Sequence, residues 1–89
     1  MDFEWDPDKA DQNLKKHGVS FFEASEVFGD PLSVTTEDPD HSDDENRLLI
    51  FGQTMSHKHL VVSFIEVNSR IRLISARELT KHEREAYEQ

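Results

Sequence analysis

Arg70-Ile71-Arg72-Leu73-Ile74-Ser75-Ala76-Arg77 is the stretch whose reading decides the fold of this 89-residue chain. Ile71, Leu73 and Ile74 favour extended backbone and interleave with three arginines, so the segment reads as a β-strand. Guanidinium groups stay charged at any physiological pH and offer five donors in a planar fork, which suits them to phosphate. Three on one short strand mark either a phosphate-holding surface or a solvated face, and the segment alone leaves both open. The strand hands over at once to a helix. Leu79 is followed by Thr80-Lys81-His82-Glu83, a capping box in which Thr80 serves the first turn and Glu83 reaches back.

Upstream lie the strands that this segment would join. Leu60–Glu66 is the most apolar run and reads as the central strand. Arg47–Thr54 contains the continuous run Leu48-Leu49-Ile50-Phe51, expected of a sheet covered on both faces. Leu32–Thr36 is β-prone, and Met55–Lys58 and Val67-Asn68-Ser69 read as turns. At the start, Phe3 and Trp5 alternate with Asp2 and Glu4 as in a short strand with one dry face. Asp6-Pro7-Asp8 then opens a helix, which Lys15, Lys16, His17 and Gly18 close. Its apolar face is thin, Ala10 and Leu14. Ser20-Phe21-Phe22-Glu23 caps a second helix with the stripe Phe21, Ala24, Val27, Phe28, ended by Gly29-Asp30-Pro31. Trp5 reads as a core residue that packs at the start of the first helix. The order is β-α-α, three or four antiparallel strands, then α: one α+β domain over residues 1–89.

The totals bound the function. A net charge of −9 is unusual for a nucleic-acid binder, but Glu37, Asp38, Asp40, Asp43, Asp44 and Glu45 supply six of those charges in one short loop, leaving −3 elsewhere. Basic residues gather at Lys15-Lys16 and at Arg70, Arg72, Arg77, Lys81 and Arg84, which allows a local basic groove on an acidic body. The absence of cysteine excludes disulfides and thiolate metal sites. No apolar run reaches membrane-spanning length, and Asp2 and Glu4 argue against a secretory signal, so a cytoplasmic protein is expected.

Trp5-Asp6, Lys9, Asn13, Lys16-His17-Gly18-Val19, Phe21, Ala24, Val27-Phe28, Asp30-Pro31, Arg47, Arg72-Leu73-Ile74-Ser75-Ala76-Arg77, Glu83 and Tyr87 together resemble the BrnT toxins. The resemblance runs over essentially the whole chain. It implies a RelE-like fold and a metal-independent endoribonuclease of a type II toxin–antitoxin pair, which cleaves RNA and arrests translation. It also implies neutralisation by a BrnA-like antitoxin, a ribbon-helix-helix protein through which alone operator DNA is bound. No cofactor, metal or membrane is expected. The chain departs from the family in its acidity, in His57-Lys58 where members often carry Gly-Arg, and in Asn68-Ser69 where glycine is usual.

Cleaving RNA without a metal requires removing a 2′-hydroxyl proton, stabilising extra charge on phosphate oxygens and protonating the leaving oxygen. Arg72 and Arg77 are the candidates for charge stabilisation, and His17 is the candidate for proton transfer. On an ideal strand Arg72 and Arg77 face opposite ways, so they serve one site only if a bulge intervenes or Arg77 lies past the strand end. Arg77 equally fits a pairing with an acid of the last helix, and His17 a favourable charge at a helix C-terminus. Lys16, Arg47 and Tyr87 are candidates for RNA binding. Their plainer roles are a solvated lysine, an ion pair with the acidic loop and an anchor for the final helix. His57 and His59 would face one way on a strand, but they lack a third ligand of fixed spacing. His41 with Asp40, Asp43 and Asp44 reads as a solvated loop. A non-catalytic antitoxin-binding module or co-repressor of the same fold is the alternative function, and cleavage in EDTA separates the two.

Overall fold

Leu60-Val61-Val62-Ser63-Phe64, the most apolar run, forms the middle of the sheet. The structure, a computed structural model, describes residues 1–41 and 46–87. Its elements are β1 (Asp2–Glu4), α1 (Pro7–His17), α2 (Phe21–Ser25, running into a 3₁₀ turn Glu26–Gly29), β2 (Val34–Glu37), β3 (Leu48–Gln53), β4 (His59–Val67), β5 (Arg70–Glu78) and α3 (Lys81–Tyr87). The sheet order is β1-β5-β4-β3-β2. β2 to β5 form the expected antiparallel succession, and β1 adds alongside β5 in parallel, which the sequence reading does not anticipate.

Local chemistry explains the element ends. The Asp6 side chain accepts from Asp8 N at 2.8 Å, and the Ser20 hydroxyl accepts from Glu23 N at 3.1 Å. Gly18, at φ 71°, stops α1 by donating its N–H to Leu14 O at 2.9 Å. Asn68 and Ser69 both take positive φ, 49° and 71°, which gives the tight β4–β5 hairpin its twist without glycine.

The helices α1 and α2 cover one face of the sheet. Phe21, Ala24 and Val27 pack there against Ile50, Leu60, Val62, Phe64, Leu73 and Ala76, so the predicted α2 stripe is the core stripe. Phe28 sits edge-on between Phe3 and Phe64, with ring centroids 5.2 and 4.9 Å away. Trp5 meets Phe21 and Phe22 edge-on and packs on the core, as expected.

Two features depart from the expectation. Leu14 is 50% exposed, and the inward position on α1 belongs to Asn13, which is buried. Its Nδ2 donates to Val19 O and Ala76 O, both at 2.9 Å, and its Oδ1 accepts from Ala76 N at 3.0 Å. β1 accompanies β5 only as far as the pair Glu4–Arg72, and the Asn13 carboxamide takes the place of a neighbouring peptide beyond it. The other departure is the second sheet face. Leu49 and Phe51 point away from the core and line a hollow there, which α3 approaches from one side.

The bulge on which the arginine reading depended is present. Ser63 pairs with Ser75 while Phe64 pairs with Leu73, so Ile74 is an extra residue in β5. Arg72 therefore lies opposite Ile65 and Arg77 opposite Val61, both on the face away from the core.

Candidate functional site

A hollow of about 480 Å³ opens on that face, between the sheet, the end of α1, the start of α3 and the Asp38–Asp40 segment. His17, Arg47, Ser63, Arg77 and Glu83 line it. The bulge brings Arg77 up from β5, while the Gly18 stop sets His17 on the rim at the last position of α1. Arg47 comes from the residue before β3.

Arg77 and Glu83 form a two-pronged pair. Arg77 Nη1 donates to Glu83 Oε1 at 2.8 Å and Nη2 donates to Oε2 at 2.9 Å. Nη1 also donates to Glu78 O at 3.2 Å. Glu83 keeps its capping role as well: Thr80 N donates to Oε1 at 2.9 Å, and the Thr80 hydroxyl accepts from Glu83 N at 3.1 Å. Of five guanidinium hydrogens, three are thus engaged. The Nε–H and the second Nη2–H have no partner among the described residues, and they form the side edge of the fork, the geometry that grips two phosphate oxygens.

The Arg77 guanidinium, helped by the Thr80 N–H, lowers the Glu83 carboxyl to about 2, and Glu83 in turn raises Arg77. Glu83 is therefore ionised at neutral pH and is a poor proton carrier there. A folded-state value below the ordinary 4.5 contributes stability that is complete above pH 4.5 and is lost as pH falls toward 2. Glu83→Gln preserves the cap but removes this charge pair. Its unfolding temperature is expected below wild type at pH 6, with the gap narrowing below pH 4.5 and closing only as pH reaches about 2; thermal melts from pH 6 to pH 2 check it.

The other candidates lie elsewhere. Arg72 shares the face with Arg77 but is held by Glu4, which accepts from its Nε at 2.7 Å, and it lines a separate hollow with Trp5, Asp6 and Lys9. Four residue steps along β4 separate the two arginines, about 13 Å at the usual strand rise of ~3.3 Å. Glu4 also takes Arg70 at 3.3 Å, and these arginines, Arg72 foremost, lower its carboxyl below the usual range. Lys16 is exposed and lines neither hollow. Tyr87 donates its hydroxyl to Leu32 O at 2.7 Å, anchoring α3, and borders a further hollow with Val34, Phe51, Glu83 and Ala86.

The crystal structure of the Brucella abortus ribonuclease toxin, BrnT, matches with a TM-score of 0.73 over 91% of this chain and 99% of that chain, at 23% sequence identity, which is a likeness of fold. No curated protein matches. The family described as "Ribonuclease toxin, BrnT, of type II toxin-antitoxin system" matches residues 5–83. The chain belongs to the BrnT family. It is accordingly a ribonuclease toxin of a type II toxin–antitoxin system, a protein that pairs with an antitoxin and binds RNA. The α+β architecture agrees with the RelE-like fold expected of BrnT. His17, Arg47, Arg72, Arg77 and Glu83 fall inside the matched span, and Tyr87 falls beyond it.

The acidic run of this BrnT chain reads as a solvated loop, yet Asp38 is 8% exposed. Its N–H donates to Arg47 O at 3.2 Å and its Oδ1 accepts from Asp40 N at 3.0 Å, so Asp38 and Asp40 become a wall of the hollow. Asp43, Asp44 and Glu45 lie outside the described residues, as does the side chain of His41. His57 is on a turn at φ 69° and not on the strand, so it does not share a strand face with His59. Among the described residues no group of three His, Asp or Glu side chains is placed to hold a metal ion. Asn13 and Ser63 were missed as site-shaping residues. The available signals were a poor helix former three positions after Ala10 and a lone hydroxyl inside the most apolar strand.

Proposed function

We propose that this BrnT-family chain is a metal-independent endoribonuclease, acting through attack of the neighbouring 2′-hydroxyl. The observation that carries the reading is the side edge of Arg77, without a partner among the described residues, in one hollow with His17 and Arg47. In this reading Arg77 grips two non-bridging oxygens of the scissile phosphate while Glu83 holds the other end of the guanidinium still. His17 takes the 2′-hydroxyl proton. The O2′–P bond forms as the P–O5′ bond breaks, the 5′-oxygen takes a proton from water at the open rim, and a 2′,3′-cyclic phosphate remains. Arg47 adds positive charge to the same wall.

Arg72 and Lys16 act at a distance, on phosphates further along the strand, and the Tyr87 border offers a stacking surface for a base. Cleavage arrests translation in the cytoplasm. The acidic body, with its net charge of −9, suits a basic partner, and we assign that role to a BrnA-like ribbon-helix-helix antitoxin, with operator DNA bound only through it.

The test is cleavage of a defined RNA by purified protein in excess EDTA, with product ends identified by mass spectrometry. Cyclic phosphate ends at an undiminished rate are expected. Activity that appears only when a divalent ion is restored would overturn the mechanism, and RNA binding without cleavage in either condition would favour the non-catalytic alternative.

A further inference from the structure

The hollow has a floor that the cleavage reading leaves unused. Ser63 lies in mid-β4, is 6% exposed, and lines the hollow. Its Oγ is buried with no hydrogen-bond partner among the described residues. Buried hydroxyls nearly always find a partner, and leaving one unmet is costly. Ser75 stands beside it in register, and Leu49, Phe51 and Val61 provide apolar walls. Arg77 stands next along the same face, opposite Val61 and two positions from Ser75, with its guanidinium turned to Glu83, while Arg47 enters the lining from the residue before β3.

We propose that this floor is a nucleobase subsite, in which the Ser63 hydroxyl hydrogen-bonds the edge of one base flanking the scissile phosphate, directly or through a single water. The inference rests on the ribonuclease reading above and specifies how the RNA is seated. A phosphate does not suit the Ser63 hydroxyl itself, whose cross-strand partners are Leu49 and Ser75; it belongs with the Arg77 fork further along the face. A base suits the floor on each count. It is planar and apolar on its faces, so it packs against Phe51, and it is polar only at its edge, which meets Ser63.

Ser63→Ala tests this because the two outcomes move in opposite directions. The substitution breaks no hydrogen bond among the described residues, so the unfolding temperature should equal or exceed that of wild type. Function should nevertheless fall. Cleavage beside the preferred base drops about tenfold, the worth of one hydrogen bond, and the preference for that base over the others flattens. The affinity for the same RNA carrying one 2′-deoxy nucleotide at the scissile position, which binds but cannot be cut, should drop by a similar factor. Ser63→Cys, nearly the same size with a weak donor, gives the same comparison if the alanine variant does not fold. A variant with wild-type rate, base profile and affinity overturns the subsite and leaves the hydroxyl satisfied by solvent alone. A wild type that cuts every step equally overturns the base reading but not the nuclease. A wild type that cuts nothing overturns the nuclease reading; the subsite is then decided by the deoxy probe, where equal affinity of wild type and variant refutes it.

Discussion

Arg77→Ala is expected to slow RNA cleavage by about a hundredfold or more at neutral pH while the fold persists, the scale seen when one preorganised donor to a developing oxyanion is removed. The substitution deletes the Nε/Nη2 edge that the proposed chemistry places on the scissile phosphate. It also frees Glu83, but that carboxylate keeps the Thr80 N–H and is partly open to water, so no fully buried charge is stranded. Arg77→Lys keeps the charge and loses the fork, and should recover little. Arg72→Ala is expected to cost only a few-fold through weaker binding, since Arg72 is committed to Glu4 at the sheet margin. Single-turnover cleavage with circular dichroism on each variant checks this. An Arg77→Ala protein that is folded and cuts at the wild-type rate removes Arg77 from the reaction.

Asn13→Ala should be the most destabilising single change of those considered, by about 3 kcal/mol. Three buried backbone groups lose their partner: Val19 O, Ala76 O and Ala76 N–H. Each orphaned group costs about 1–3 kcal/mol, reduced where water enters, and the better helix propensity of alanine returns about 0.5 kcal/mol. A domain of this size has roughly 5–10 kcal/mol in total, so the loss is a large share. Asn13→Asp should be no better, because a carboxylate would face two carbonyl oxygens in place of the donor they share. Urea unfolding of the variants measures it, and a loss below about 1 kcal/mol would mean that water replaces the carboxamide almost fully. Because Ala76 precedes Arg77, the folded fraction of the variant should also cleave more slowly than wild type.

The caps at Asp6, Ser20 and Thr80, the Gly18 stop and the strand alternation were legible because each depends on residues only a few positions apart. The resemblance carried the family for the same reason, as short blocks of adjacent residues. The parity of the arginines was not legible. It depends on the Ile74 bulge, which exists only because β4 and β5 pair in one register. Nor was the parting of Arg72 from Arg77, since Glu4 reaches Arg72 across 68 positions while Glu83 reaches Arg77 across six. Leu49 and Phe51 looked doubly covered, but a continuous apolar run does not say whether its second face meets a helix or a hollow.

Sequence by itself thus determined the elements, their order and the kind of chemistry on offer, because helix ends and strands are set by neighbours along the chain. Tertiary structure alone decided which guanidinium is held with an edge to spare, and where Asn13 and Ser63 are buried. Those outcomes depend on contacts between residues far apart in the chain, and on which polar atoms burial leaves without a partner.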